Sequence, residues 1–149
     1  MPYVNSRDVA PVEHEPGLFA LKLVDGSRGA HDVALLRGWL EPGASHAAHT
    51  HDVEEAVVFL SGRGVVSIEN ERIAVGPGDA VLIPAGALHS TSNVEAGEPL
   101  HFVAAFPDSV VRSRPAHAGT TGRGAPILWR RCTALWNRIR WVSRRMWLR

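Results

Sequence analysis

Turn-forming residues recur at short intervals through most of the chain, and this regularity constrains the fold more than any other feature. Examples are Glu41-Pro42-Gly43, Ser61-Gly62-Arg63-Gly64 and Gly76-Pro77-Gly78-Asp79. The segments between such turns are short and rich in apolar and β-branched residues, and none before residue 115 has a helical pattern. Short strands with turns about every 8–12 residues are typical of an all-β sandwich or barrel.

About eight strands are predicted, with a tight hairpin turn at Asn70-Glu71 between two of them. The preceding residues 1–17 are polar and contain prolines, which indicates an arm or an edge strand. The predicted strands are residues 19–24, 31–40, 55–60, 65–69, 72–75, 80–83, 89–94 and 99–106.

The size and the cysteine content limit the class of protein. A chain of 149 residues is large enough for one domain with its own core. Cys132 is the only cysteine, so neither an intrachain disulfide nor a Cys-rich zinc site can form. The first residues lack the basic and apolar segments of a secretory signal, and no apolar run approaches the roughly 20 residues of a membrane span. We therefore expect a cytoplasmic protein.

The charges divide the chain into an acidic body and a basic tail. Residues 1–111 contain six basic and all fifteen acidic residues, whereas residues 112–149 contain ten arginines and no acidic residue. We predict an N-terminal arm and first strand at 1–30, a barrel core at 31–111 and a separate tail at 112–149.

The tail has the pattern of a basic amphipathic helix. From Ile127 onward apolar residues recur at intervals of three and four, and most arginines fall on the other face. This pattern predicts contact with a membrane surface or with a partner protein. The alternative is an extension without a selected role, and we expect no nucleic-acid binding.

Three polar side chains have the spacing of a metal site. In a strand, His49 and His51 project to the same face, and Glu55 has the same parity at the start of the next apolar strand. A carboxylate there would be costly to bury without a cation or a hydrogen-bond partner. Imidazoles and a carboxylate on adjacent strands are suitable ligands for Fe, Mn, Zn or Ni, and His89 on a later strand can complete the set.

The segment from about residue 30 to residue 107 resembles the cupin superfamily, because it matches the two sequence motifs of that superfamily. Both motifs fit without a gap, and fifteen residues separate Gly62 from Gly78. The first motif is matched by Gly43, five residues, His49-Thr50-His51, three residues, Glu55, six residues and Gly62. The second is matched by Gly78, five residues, Pro84-Ala85-Gly86, two residues, His89, three residues and Asn93.

The resemblance implies a cupin jelly-roll β-barrel that holds one divalent metal ion (Fe, Mn, Zn or Ni) on His49, His51, Glu55 and His89. It also implies a homodimer. Neighbouring Glu54 is the alternative ligand, but strand parity and motif spacing both favour Glu55.

The predicted substrate pocket surrounds these ligands. Val57 and Phe59 share the parity of Glu55 and should face the interior of the barrel. His101 on the last strand is the candidate for the pocket wall, the alternative being an ordinary core or surface position. His46 is expected to be a solvated loop residue.

The functional hypothesis is a metal-dependent oxidoreductase of the dioxygenase type acting on a small organic substrate, with Glu55 as ligand or base. Three or four protein ligands leave positions open for substrate and dioxygen. One alternative is an isomerase, lyase or cyclase in which the metal acts as a Lewis acid. Another is a non-catalytic module that binds a small molecule.

Overall fold

The computed structural model describes residues 3–116, which form eleven strands and two short 3-10 turns at Ser6–Asp8 and Gly26–Arg28. The strands are β1 (Val12–Glu15), β2 (Leu18–Val24), β3 (Ala34–Leu40), β4 (Ser45–His51), β5 (Glu55–Ser61), β6 (Gly64–Ile68), β7 (Glu71–Val75), β8 (Ala80–Ile83), β9 (His89–Asn93), β10 (Leu100–Phe106) and β11 (Ser113–Pro115).

The strands form two antiparallel sheets that face each other. The first sheet has the order β1-β2-β3-β10-β5-β8 and the second has the order β11-β4-β9-β6-β7. Consecutive strands such as β3, β4 and β5 alternate between the sheets, as the connections of a jelly roll require. The all-β jelly-roll prediction is confirmed.

Apolar side chains from both sheets fill the space between them. In β5 every second residue is buried, including Val57 and Phe59, while the residues between them are exposed. Phe59 and Leu40 of the first sheet and Val66 of the second belong to one buried cluster, and all three are almost fully buried. Each such side chain stabilises the fold by about 1.5–3 kcal/mol relative to an exposed position.

One buried amide joins the two sheets at the end of the barrel. The Nδ2 group of Asn93 in β9 donates to the carbonyl of Leu40 in β3 at 3.0 Å and to the carbonyl of Glu98 at 2.8 Å. A buried amide with both donors satisfied favours one relative position of the sheets, because any shift would leave a polar group unpaired.

The structure contains the eight predicted strands, an edge strand within residues 1–17 (β1) and the strand that carries His49 and His51 (β4), and it adds β11. The hairpin turn lies one residue earlier than predicted, because Ile68 pairs with Glu71 and the turn residues are Glu69 and Asn70. Glu69 has a φ of 52°, the left-handed conformation that tight hairpin turns require.

Several predictions concern residues 117–149, which lie outside the described residues. These include the amphipathic helix that begins at Ile127. Three further statements stay predictions: the division at residues 30 and 111, the homodimer, and the membrane contact of the tail. Within the described part of the chain, no helix has the length and hydropathy needed to span a bilayer.

Two glycines with the same backbone conformation differ in what surrounds them, and this difference gives a test of the fold. Gly62 and Gly78 have φ values of 77° and 86°. A Cβ on Gly62 would lie 2.5 Å from the Pro99 carbonyl oxygen, whereas a Cβ on Gly78 would meet nothing within 4 Å.

We predict that Gly78→Ala lowers the free energy of unfolding by about 1–2 kcal/mol through backbone strain alone. Gly62→Ala should lower it by about 1–3 kcal/mol more, because the backbone at Pro99 must also move. Urea denaturation of both variants measures the difference, and equal losses would contradict the packing around Gly62.

Candidate metal centre

Three imidazoles and one carboxylate converge inside the barrel. They belong to His49 and His51 of β4, Glu55 of β5 and His89 of β9, so both sheets contribute. All four residues are buried, and one candidate ligand atom from each lies within 4.8 Å of the others. The structure thus brings together the four side chains that the spacing had grouped.

The Nδ1 atoms of the three imidazoles all face backbone carbonyls. In His49 and His89 the carbonyl belongs to the residue two positions earlier, at 2.8 Å and 2.9 Å. In His51 it belongs to Arg112, at 2.8 Å. Since a carbonyl can only accept, each Nδ1 carries the proton and donates it. In its neutral form each ring therefore presents an unprotonated Nε2 to the others, as metal-binding histidines do.

The Nε2 atoms are close enough to share one cation. Those of His49 and His51 are 3.1 Å apart, and their lone pairs repel each other at this distance when neither atom carries a proton. The buried Nε2 of His89 has no hydrogen-bond partner of acceptable geometry, although Oε2 of Glu55 lies 3.2 Å away. Oε2 of Glu55 is also 3.4 Å from Nε2 of His51.

These separations fit one divalent ion. Ligand atoms at about 2.0–2.1 Å from a metal lie about 3 Å from their neighbours in the coordination shell. Three imidazole nitrogens and one carboxylate oxygen are suitable for Fe, Mn, Zn or Ni, and the same set serves each of them. The residues thus fit the metal that the cupin resemblance implies, without selecting its identity.

The electrostatics of the site favour the protonation states that a metal needs at Glu55 and His49, but not at His51. Burial raises the pKa of Glu55, but the hydrogen bonds that Nε2 of His51 and Nε2 of His89 donate when they carry a proton outweigh this effect and lower the pKa to about 2. Burial lowers the pKa of His49 to about 4. Burial also acts to lower the pKa of His51, but its bond to Glu55 and its bond to the Arg112 carbonyl raise it instead. At neutral pH Glu55 is charged and His49 is neutral.

A bulge in β4 brings His46 beside His49, whereas the sequence analysis placed His46 in a solvated loop. His46 pairs with Thr91, and His49 pairs with His89. An advance of three residues along β4 therefore corresponds to only two residues along β9. The extra residue turns His46 to the same face as His49, and their rings lie 3.9 Å apart. The prediction of a solvated loop residue was wrong, because simple alternation places positions 46 and 49 on opposite faces.

The N-terminal strand holds this bulge in place. Oε2 of Glu15 in β1 accepts a hydrogen bond from the backbone N–H of Ala47 at 2.8 Å. Oε1 of the same carboxylate lies 3.5 Å from Nε2 of His46. Burial lowers the pKa of His46 to about 3, so this imidazole is neutral at physiological pH.

A small cavity that opens to solvent is lined by three of the four donors, all except His51. The predicted residues Val57 and Phe59 lie in its wall. One side of the wall is apolar and the other is polar. The lining residues are Leu40, His46, His49, Glu55, Val57, Phe59, Ile83, His89, Thr91 and Phe102.

His101 does not line this cavity, so the assignment to the pocket wall is corrected. On β10 the inward positions are Leu100 and Phe102, and His101 points to the opposite face. There its ring lies 5.9 Å from that of Trp39, the residue with which it pairs. Phe102 takes the place in the wall that the sequence analysis gave to its neighbour.

Comparisons with known proteins agree with this architecture. A family model described as the cupin domain matches residues 39–106. Among solved structures, the polyketide cyclase RemF from Streptomyces resistomycificus is 26% identical, with 81% of this chain and 89% of that chain covered and a TM-score of 0.69. A search of curated proteins gives no match.

Two oxalate decarboxylases share the fold. A variant of the Bacillus subtilis enzyme is 23% identical, with 76% of this chain and 32% of that chain covered and a TM-score of 0.67. The Lactobacillus farciminis enzyme in a formate complex is 24% identical, with 73% and 34% covered and a TM-score of 0.66. The chain therefore spans about a third of the length of these decarboxylases.

The metal centre predicts the effect of removing single imidazoles. His49→Ala, His51→Ala and His89→Ala should each lower the zinc stoichiometry of the purified protein and the increase in melting temperature that added zinc produces. His101→Ala is the matched control, because it removes an imidazole outside the cavity and should change neither quantity. Elemental analysis and thermal unfolding measure both, and unchanged zinc content in all three variants would refute the centre.

Proposed function

The chain belongs to the cupin superfamily, and on that premise we propose that it is a metal-dependent enzyme acting on a small organic substrate. The observation that carries the proposal is the convergence of four buried donors beside a cavity with an apolar wall. Burying three imidazoles and a carboxylate is costly, so packing alone gives no reason for this arrangement. A bound cation would give a reason for it.

His49, His51, Glu55 and His89 would hold the ion. When bound, iron(II) would supply dioxygen activation, while a redox-inactive ion would supply Lewis-acid polarisation of a carbonyl. Four protein ligands leave positions open on a six-coordinate ion, which is the reason for naming a dioxygenase as the first candidate.

The other cavity residues would bind and shield the substrate. Val57, Phe59 and Phe102 provide apolar contacts and exclude water from the reacting groups. Thr91 and His46 provide polar groups on the opposite wall. A substrate that fits both walls has an oxygen-bearing end and an apolar body, as enolisable carbonyl compounds and phenols have.

The position of Glu55 favours a role as ligand over a role as base. Its carboxylate lies within 3.4 Å of Nε2 of both His51 and His89, at the centre of the donor set. A carboxylate whose pKa is held at about 2 is also a weak acceptor of a substrate proton at neutral pH.

The second candidate is a cyclase, isomerase or lyase that uses the metal as a Lewis acid. The likeness to RemF favours it, since that polyketide cyclase is matched over 89% of its length. The donor set serves both chemistries, so the two candidates differ in whether dioxygen is consumed.

Metal exchange separates these candidates. If the dioxygenase proposal holds, the iron-loaded protein should consume dioxygen with one of a panel of enolisable and phenolic compounds, and the zinc-loaded protein should be inactive. An oxygen electrode and product analysis by mass spectrometry measure this, with His101→Ala as an active control and His89→Ala as an inactive one. Turnover by the zinc-loaded protein under argon would replace the dioxygenase with the Lewis-acid enzyme.

A further inference from the structure

The three imidazoles of the metal centre do not obtain their orientation from the same part of the chain. The Nδ1 atoms of His49 and His89 donate to carbonyls two residues earlier, within or beside their own strands. The Nδ1 of His51 donates to Arg112, which is 61 residues away along the chain. Arg112 lies outside residues 39–106, the part matched by the family model.

Strand β11 brings this carbonyl to His51. Its residue Arg114 pairs with Thr50 of β4, and the N–H of Ala116 donates to the Ala48 carbonyl at 2.9 Å. Because hydrogen-bonded pairs alternate in an antiparallel ladder, Arg114 and Thr50 also form such a pair. The side chain of Arg114 adds an exposed ion pair with Asp52 at 2.8 Å.

Two acceptors compete for the single proton of a neutral His51. The Arg112 carbonyl lies 2.8 Å from Nδ1, and Oε2 of Glu55 lies 3.4 Å from Nε2. A proton on Nε2 would bond to Glu55 and occupy the nitrogen that a metal needs. A proton on Nδ1 leaves Nε2 free to coordinate.

We infer that β11 is a positioning element of the metal centre: the Arg112 carbonyl keeps the proton of His51 on Nδ1 and so leaves Nε2 for the metal. The inference rests on the metal centre of the proposed function but not on the reaction that it catalyses. It assigns a role to residues 112–116, which lie outside the barrel core predicted from the sequence.

Two substitutions at one position test the role of β11 in the full chain. Arg114→Pro removes the backbone N–H that pairs with Thr50 and should release β11 from β4. Zinc affinity, measured by competition with a chelator, should then fall about 10-fold or more. Arg114→Ala removes only the exposed ion pair and keeps the N–H, so its affinity should stay within about threefold of the wild type.

The tautomer of each imidazole gives a second readout that does not depend on turnover. Heteronuclear NMR of the metal-free protein at about pH 8, where an ordinary imidazole is neutral, reports which ring nitrogen carries the proton. In the wild type all three rings should be protonated on Nδ1. In Arg114→Pro, His51 should shift toward Nε2 protonation while His49 and His89 stay unchanged, whereas general loosening of the barrel would alter all three.

Several results would overturn the inference. One is a wild-type His51 protonated on Nε2, a measurement that needs no variant. Another is equal zinc affinity and equal His51 signals in Arg114→Pro and Arg114→Ala. If Arg114→Pro does not fold, Ala116→Pro is the second variant. It removes only the bond to Ala48 and should weaken zinc binding by a smaller factor. Unchanged zinc affinity in Ala116→Pro would also contradict the role of β11. A wild type that binds no divalent ion would instead refute the proposed metal enzyme.

Discussion

The rest of the structure depends on the enforced proximity of imidazole nitrogens inside the barrel. Nε2 of His49 and Nε2 of His51 lie 3.1 Å apart, beside a carboxylate that is charged at neutral pH. The backbone hydrogen bonds to the Nδ1 atoms maintain this arrangement, and core residues such as Phe59 stabilise the sheets that carry it. A cation bound only by the folded state would turn the unfavourable contact into a source of stability.

Strand β4 is the element on which most of these constraints meet. It carries two of the four donors, and its bulge decides that His46 shares the cavity with His49. The two ends of the described chain both contact it: Glu15 accepts from the N–H of Ala47, and β11 pairs along the opposite end of the strand. Segments on both sides of the matched cupin domain therefore contact the strand that carries two of the four donors.

Glu55 and Arg112 act on His51 from opposite ends of its ring. The carboxylate attracts a proton to Nε2, and the carbonyl attracts it to Nδ1. The balance between these acceptors links the geometry of an edge strand to the chemistry of a buried site. His49 and His89 depend less on the rest of the fold, because their acceptors lie two residues away.

The sequence by itself determined most of the strands and the common face of His49, His51 and Glu55, because turn chemistry and strand alternation are local properties. The jelly-roll class and the set of four ligands with His89 came from the resemblance to the cupin motifs, whose spacing is also readable along the chain. Only the tertiary structure decided features that depend on a pairing partner. Alternation alone could not show that Phe102 rather than His101 faces the cavity, since the inward face of β10 is defined by the opposing sheet. The β4 bulge reverses parity without a composition signal, and the carbonyl that orients His51 comes from 61 residues away. No local rule connects residues that far apart; the folded chain does.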